Sequence, residues 1–139
     1  MQGESQLLQN HGSILANESA GFVEIDQQGR MSSFNYNYWT SPVSTQGSSN
    51  NSGYRLVDVL MDGTNAENPT GINWRTGYFD ADGARTSPIT ITDAWIWDFR
   101  GGDADIYGDW LFMGNDFMQI AGAGYSMKGT DGTVAPNQM

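Results

Sequence analysis

The side chains best suited to chemistry in this sequence are carboxylates in two short acidic loops. The first loop reads Asp-Ala-Asp-Gly-Ala-Arg-Thr and offers the oxygens of Asp80, Asp82 and Thr86. Oxygens two residues apart can converge on Ca²⁺, which prefers hard oxygen ligands. The second loop offers Asp103, Asp105 and Asp109 in the same way. Both loops are candidate calcium sites, and for each of them a plain turn without metal is the alternative.

The spacing in the first loop excludes an EF-hand. The twelfth position counted from Asp80 is Ile91, where that motif needs a bidentate glutamate. Asp93 and Asp98 are a candidate glycosidase pair, but in a sequence with so many acids an accidental pair is expected. The chain has no cysteine and one histidine, His11, so it lacks the usual nucleophiles and transition-metal ligands. We therefore predict a protein that is not an enzyme, with Ca²⁺ as its one candidate cofactor.

The tryptophans are the second group of candidate site residues, because indole rings stack on sugars as well as filling cores. Trp95 and Trp97 have isoleucine neighbours and are predicted to lie in the core. Trp39 and Trp110 are the better candidates for contact with a ligand. A surface glycan or another surface protein would be the partner.

The charge of the chain limits its partners. Sixteen acids against six bases give a net charge of −10, which repels phosphate backbones and anionic lipid headgroups. No stretch approaches the ~20 apolar residues of a membrane-spanning helix. We expect no nucleic-acid partner and no insertion into a membrane.

The elements that must position these residues are predicted to be short strands. The 139 residues are enough for one domain, and 18 glycines, with 5 Trp, 6 Tyr and 6 Phe, favour tight turns and pleated surfaces. Side chains alternate with a period of two, as in the aromatic strand that begins at Phe34 and ends at Pro42. Further strands are predicted at 21–26, 54–61, 72–78, 88–100, 110–113, 117–121 and 125–128.

Eight or nine strands at this spacing indicate an all-β, antiparallel β-sandwich or jelly-roll-like fold with little or no helix. A helix, if present, is expected over 54–61 or 3–9. Residues 44–53 are polar and of low complexity, which predicts a flexible loop. We expect 1–139 to be one β-rich module cut from a longer protein.

Several phrases of the sequence resemble one family. They are Gly3-Glu-Ser-Gln-Leu-Leu-Gln9, Phe34-Asn-Tyr-Asn-Tyr-Trp-Thr-Ser-Pro-Val43, Asp62-Gly-Thr-Asn65 followed by Pro69 and Ile72, Ala94-Trp-Ile-Trp97 and Gly124-Tyr-Ser-Met-Lys-Gly-Thr130. Their order is similar to that of a module in large surface and secreted proteins that are exported by the type IX secretion system, upstream of the C-terminal sorting domain.

The resemblance implies a location and a role but carries no catalytic residues. It implies an extracellular or cell-surface module that meets the secretion machinery during export and then serves in adhesion or structural support. A carbohydrate-binding module, with or without calcium, is the alternative.

Overall fold

The computed structural model describes residues 23–27, 29–30, 32–45, 53–78, 84–102 and 106–130. These ranges contain eight short strands, one short α-helix and two 3₁₀ helices. The strands are β1 (Tyr36–Thr40), β2 (Met61–Asp62), β3 (Thr70–Gly71), β4 (Asn73–Arg75), β5 (Thr90–Thr92), β6 (Ile96–Phe99), β7 (Trp110–Phe112) and β8 (Gly124–Lys128). Helix α1 spans Leu56–Val59, and the 3₁₀ helices span Asp93–Trp95 and Tyr107–Asp109.

The largest sheet is antiparallel, with its four strands in the order β1-β8-β6-β7. Strand β8 is therefore flanked on both sides. Ser126 of β8 lies beside Tyr38 of β1 and Trp97 of β6, and Trp97 lies beside Phe112 of β7. Because paired residues share a face and neighbours along a strand alternate, this register determines the composition of both faces.

The inner face of this sheet packs on the hydrophobic core. It carries Tyr125 and Met127 of β8 and Ile96 of β6, all of which are buried. The core cluster consists of Tyr54, Leu56, Ile72, Ile89, Ile91, Ile96, Met113, Tyr125 and Met127. Removing these apolar side chains from water is the main contribution that stabilises the fold.

Two smaller pairs of strands lie outside this sheet. Strands β2 and β3 are antiparallel, whereas β4 and β5 are parallel. Buried Asp62 connects the two pairs: its carboxylate accepts hydrogen bonds from the backbone N–H of Thr64 at 2.9 Å and of Ile89 at 2.8 Å. Bonds of this kind to a charged acceptor are stronger than neutral ones, so Asp62 serves a structural role.

Gly129, directly after β8, marks a close crossing of two segments. A Cβ atom there would lie 2.3 Å from the carbonyl oxygen of Arg30 and 2.8 Å from that of Ser32. The Asn37 side chain holds the crossing segment, because the N–H of Arg30 donates to Asn37 Oδ1 at 2.8 Å. Only glycine, which has no Cβ atom, therefore fits at position 129.

The structure confirms the all-β class and corrects details of it. Within the described ranges the only α-helix has four residues, and most pairings are antiparallel. A sandwich of two packed sheets stays a prediction. The strand predicted at 54–61 is wrong over Leu56–Val59, where the N–H of Leu60 donates to the carbonyl of Leu56 and closes a helical turn. This is one of the two places where a helix was expected.

Two other predicted strands are shorter or absent. Over 117–121 the chain forms one isolated bridge, between Gln119 and Tyr54, and residues 23–26 form no regular strand. Of the predicted flexible loop 44–53, residues 46–52 lie outside the described residues. Among the helices that the described ranges contain, none has the length and apolarity to cross a membrane.

Candidate ligand-binding site

The outer face of the four-stranded sheet is covered with aromatic rings. The register places Tyr36, Tyr38, Trp97, Phe99, Trp110 and Phe112 on this face. We call this set the aromatic face. Tyr38 is 73% exposed and Phe112 is 55% exposed, although both belong to strands of the largest sheet. Exposed contiguous apolar surface of this kind marks interaction sites in soluble proteins.

The rings of the aromatic face contact one another in pairs. The centroids of Phe99 and Trp110 are 5.0 Å apart, and those of Trp97 and Phe112 are 5.7 Å apart. Tyr38 reaches across from β1, with its centroid 6.4 Å from that of Trp110. Tilted and edge-to-face pairs at these distances are mutually stabilising, so the rings hold one another in place.

An open groove of about 680 Å³ lies between these rings, and we call it the β8 groove. Its lining includes two small residues of β8: Gly124, which is exposed, and Ser126, which is buried between Tyr38 of β1 and Trp97 of β6. The lining residues are Gln27, Tyr38, Trp39, Thr40, Phe99, Trp110, Gly122, Gly124, Tyr125 and Ser126. Gly124, which has no side chain, thus leaves open space at the start of β8.

The polar groups of the groove are neutral. The hydroxyl of Thr40 donates to the carbonyl of Ala123 at 3.0 Å, and that of Ser126 donates to the carbonyl of Trp97 at 3.3 Å. Each hydroxyl oxygen keeps acceptor capacity after donating. Neither a carboxylate nor a basic side chain is among the described residues that line the groove.

Lys128 lies on the outer face beyond Ser126. Its Nζ is 3.9 Å from the ring centroid of Trp95 and 6.0 Å from that of Tyr36. A cation over an indole face is attracted by the ring quadrupole. The ammonium group is therefore held at one end of the aromatic face, two strand positions from Ser126.

The two tryptophans that were predicted to contact a ligand lie on opposite faces of the sheet. Trp110 belongs to the aromatic face and lines the β8 groove. Trp39 borders the groove too, but its register with Tyr125 places it on the inner face, where its ring packs against the core cluster. Its Nε1 has no acceptor among the described residues.

The core assignment of Trp97 is wrong. Trp97 is half-buried on the outer face, where its strand pairs it with Phe112 of β7 and Ser126 of β8. Trp95 is also half-buried and lies beneath Lys128. Isoleucine neighbours do not decide which face a tryptophan occupies, since successive side chains point to opposite faces.

The structure describes one candidate calcium ligand of each acidic loop. In the first, the hydroxyl of Thr86 contacts Pro88 O and Thr90 Oγ1, and Thr90 in turn accepts from Asn73 Nδ2 at 3.0 Å. Asp80 and Asp82 lie outside the described residues. The Thr86 hydroxyl therefore makes its contacts within its own turn.

In the second loop, Asp109 ends a 3₁₀ helix, and its carboxylate lies against Gly101, where a Cβ atom would overlap it. Asp103 and Asp105 lie outside the described residues. No group of three or more acidic or histidine side chains converges within the described ranges. Calcium binding by these loops stays a prediction.

Asp93 and Asp98, the candidate glycosidase pair, do not lie around the groove. Asp98 is buried on the inner face, where its Oδ2 accepts from Arg100 Nε at 2.5 Å. Asp93 is the first residue of a 3₁₀ helix. Neither lines the β8 groove.

Comparisons with protein-family models, with curated proteins and with solved structures found no match to this chain. The candidate site is therefore defined by its geometry alone. Sequence reasoning missed Tyr38, Phe99, Phe112, Gly124 and Ser126 as its members. The alternation of Tyr36 with Tyr38 and of Trp97 with Phe99 was the available signal, but the pairing of the strands was needed to place them together.

Proposed function

We propose that this chain is a non-catalytic binding module of an exported cell-surface protein, which adheres to its partner through the aromatic face. The single observation that carries the proposal is the exposure of Tyr38 and Phe112 on a sheet whose other face carries buried Ile96, Tyr125 and Met127. Aromatic residues are enriched at the centres of binding surfaces, because they combine large contact area with few rotatable bonds.

The extracellular or cell-surface location and the type IX export route come from the resemblance in sequence. Passage through the secretion machinery during export is part of the same proposal. It is tested by tagging the full-length parent protein and by treating intact cells with protease. Loss of the tag in export-competent cells and its protection in cells that lack the secretion system would support the location. Protection in both would contradict it.

Adhesion through the aromatic face is tested by binding the purified chain to immobilised extracellular proteins and glycans. Phe112→Ala removes an exposed ring of the face, and Met118→Ala removes an equally exposed apolar side chain elsewhere, since both residues are 55% exposed. We expect the first variant to bind about tenfold more weakly and the second to bind as the wild type does. Equal binding by all three proteins, or no binding by the wild type, would contradict the proposal.

A carbohydrate-binding module is the second candidate function, and the β8 groove is the observation that favours it. The groove combines the rings of Tyr38, Phe99 and Trp110 with the neutral polar side chains of Gln27 and Thr40. Sugars present both an apolar C–H face and hydroxyl groups, so they suit a surface of this composition.

Calcium assistance of that function is a separate proposal, supported by the oxygen-rich spacing of the two acidic loops. It predicts a higher unfolding temperature in millimolar Ca²⁺ than in chelator, because a ligand that binds only the folded state stabilises it. Asp80→Asn with Asp82→Asn would abolish the increase if the first loop holds the ion. The same unfolding temperature with and without Ca²⁺ would contradict strong binding at either loop.

A further inference from the structure

We propose that the outer edge of β7 binds an extended, basic segment of a partner protein, which pairs antiparallel to β7 as a fifth strand of the largest sheet. In this segment basic side chains alternate with apolar ones. The inference rests on the proposed adhesive function and names the class of its partner. It assigns the contact to the last strand in the order β1-β8-β6-β7, beside the exposed ring of Phe112.

The backbone of β7 has hydrogen-bonding groups that point away from the sheet. On the side of β6, the carbonyl of Asp109 accepts a backbone hydrogen bond at 3.0 Å, and the N–H of Met113 donates one at 2.9 Å. Hydrogen-bonded and non-hydrogen-bonded pairs alternate along an antiparallel ladder. Leu111 therefore bonds with β6 as well, whereas Trp110 and Phe112 direct their N–H and C=O groups to the outer edge.

Three of these four groups have no hydrogen-bond partner within the described ranges. The N–H of Trp110 donates to the carbonyl of Tyr107. The C=O of Trp110, and both the N–H and the C=O of Phe112, make no bond with a described residue. An antiparallel strand at this edge would bond with all three groups. Addition of a strand to an exposed sheet edge is a recurring mode of peptide recognition.

The register of such a strand determines the side chains that suit it. Residues opposite Trp110 and Phe112 would lie on the outer face, and a residue opposite Leu111 would lie on the inner face. Leu111 is 45% exposed and Phe112 is 55% exposed, so both faces of the edge are open to a neighbour. An apolar side chain suits Leu111, and a cation beside the two aromatic rings gains cation–π attraction.

The charge of the chain favours a basic segment over a second copy of this protein. The net charge is −10, Asp109 directly precedes β7, and Asp116 lies four residues after it. Arg100, at the end of β6, is already paired with Asp98. Two copies of this edge would bring like charges together, whereas a basic segment is attracted to it.

The first experiment compares two octapeptides with blocked ends. In one of them arginine alternates with valine, and in the other glutamate replaces arginine. Fluorescence anisotropy measures the binding of each peptide to the full chain. We expect the basic peptide to bind at least about tenfold more tightly, because its charge is complementary to that of the protein.

Two N-methylated forms of the basic peptide test the pairing of the strands. The residues opposite Trp110 and Phe112 lie on the outer face, so the arginine N–H groups donate to β7 and the valine N–H groups point away from it. We expect methylation of the arginine nitrogens to weaken binding about tenfold, since these hydrogen bonds are lost. Methylation of the valine nitrogens is the matched control and is expected to leave binding unchanged.

Two variants at one position separate the ring from the backbone. Phe112→Ala removes the ring and keeps the N–H, whereas Phe112→Pro removes both, and proline is tolerated in an edge strand where its nitrogen faces outward. We expect the proline variant to bind the basic peptide about tenfold more weakly than the alanine variant does. Met118→Ala, which removes an exposed apolar side chain elsewhere, is expected to bind as the wild type does.

Several results would overturn the inference. Equal binding of the basic and acidic peptides would exclude a basic partner, and an equal effect of the two methylations on the wild type would exclude strand pairing even if the proline variant fails to fold. A dimer of the chain alone in sedimentation velocity, abolished by Phe112→Pro, would assign the edge to a second copy instead.

The outcome for the adhesive function is separable. Failure of the basic peptide to bind, with immobilised extracellular proteins still bound and weakened by Phe112→Ala, would overturn the inference and leave adhesion standing. The absence of binding both to the peptide and to the immobilised proteins and glycans would overturn both.

Discussion

Two buried tyrosines, Tyr54 and Tyr125, lie next to each other beneath the sheet. Their ring centroids are 6.4 Å apart, and the hydroxyl of Tyr54 donates to the carbonyl of Ala123 at 2.8 Å. Burial raises the pKa of both hydroxyls above the ordinary value of 10.0, because a phenolate would be poorly solvated in the core. For Tyr125 the neighbouring Tyr54 raises the pKa further.

These raised pKa values predict a loss of stability in alkali. Above pH 10 the tyrosines of the unfolded chain ionise while Tyr125 of the folded chain keeps its proton, so the free energy of unfolding falls as pH rises. The stabilising contribution is complete below pH 10 and, for Tyr125, whose pKa is raised the more strongly, decreases by about 1.4 kcal/mol per pH unit above it. Urea unfolding between pH 8 and pH 11 measures this decrease (~1 to 2 kcal/mol in total).

Tyr125→Phe tests the assignment, because it removes one of the buried hydroxyls. We expect its free energy of unfolding to decrease less steeply with pH than that of the wild type. Tyr107→Phe, which removes an exposed hydroxyl, is the matched control. The same slope in Tyr125→Phe and in the wild type would show that another group causes the loss.

At the scale of elements, β8 packs on the core through one face and borders the groove through the other. Met127 is fully buried between neighbours on both sides, whereas Gly124 and Ser126 line the groove. The strand therefore couples the packing of the core to the shape of the site. A change on its inner face is expected to act on stability, and a change on its outer face on binding.

Truncation of methionine tests the inner face. Met127→Ala removes a fully buried side chain and leaves a cavity, which we expect to lower the free energy of unfolding by about 2–5 kcal/mol. Met118→Ala makes the same chemical change at a residue that is 55% exposed, and we expect a change within about 0.5 kcal/mol. Denaturant titration measures both, and similar losses in the two variants would contradict the assigned packing.

The elements that could be predicted from the sequence are those with a clear period of two. The aromatic strand, the strand over Ile96–Phe99 and the last strand lie where alternation placed them. The helical turn at Leu56–Val59 was expected as a strand, because four residues are too few to establish a helical period. Which face of β6 is exposed depends on the partners β7 and β8, and those pairings are long-range contacts that no local pattern encodes.

At the scale of the whole molecule, negative charge opposes compactness. The sequence has 16 acids and 6 bases, and the ion pairs of Arg55 with Asp58 and Asp116 are on the surface. Exposed pairs contribute little to stability. Repulsion among the remaining carboxylates therefore acts against the folded state and weakens when salt screens it.

We predict that NaCl stabilises the fold. Raising its concentration from about 0.01 M to 0.15 M shortens the screening length from about 30 Å to 8 Å, and we expect the free energy of unfolding to rise by about 0.5–1 kcal/mol. Glu67→Lys replaces an exposed acid by a base and is expected to reduce this response. Thermal unfolding at the two salt concentrations measures it, and a decrease in stability with salt would contradict the prediction.

The positions of the tryptophans make the site its own spectroscopic probe. Trp39 and Trp110 line the groove, Trp97 is beside it on the outer face, and Trp95 is under Lys128, so four of the five indoles are in or near the site. Trp74 packs against the core on β4. A bound molecule that displaces water from these indoles will shift their emission to shorter wavelength and shield them from iodide quenching. Occupancy can thus be followed by intrinsic fluorescence, with no dye attached.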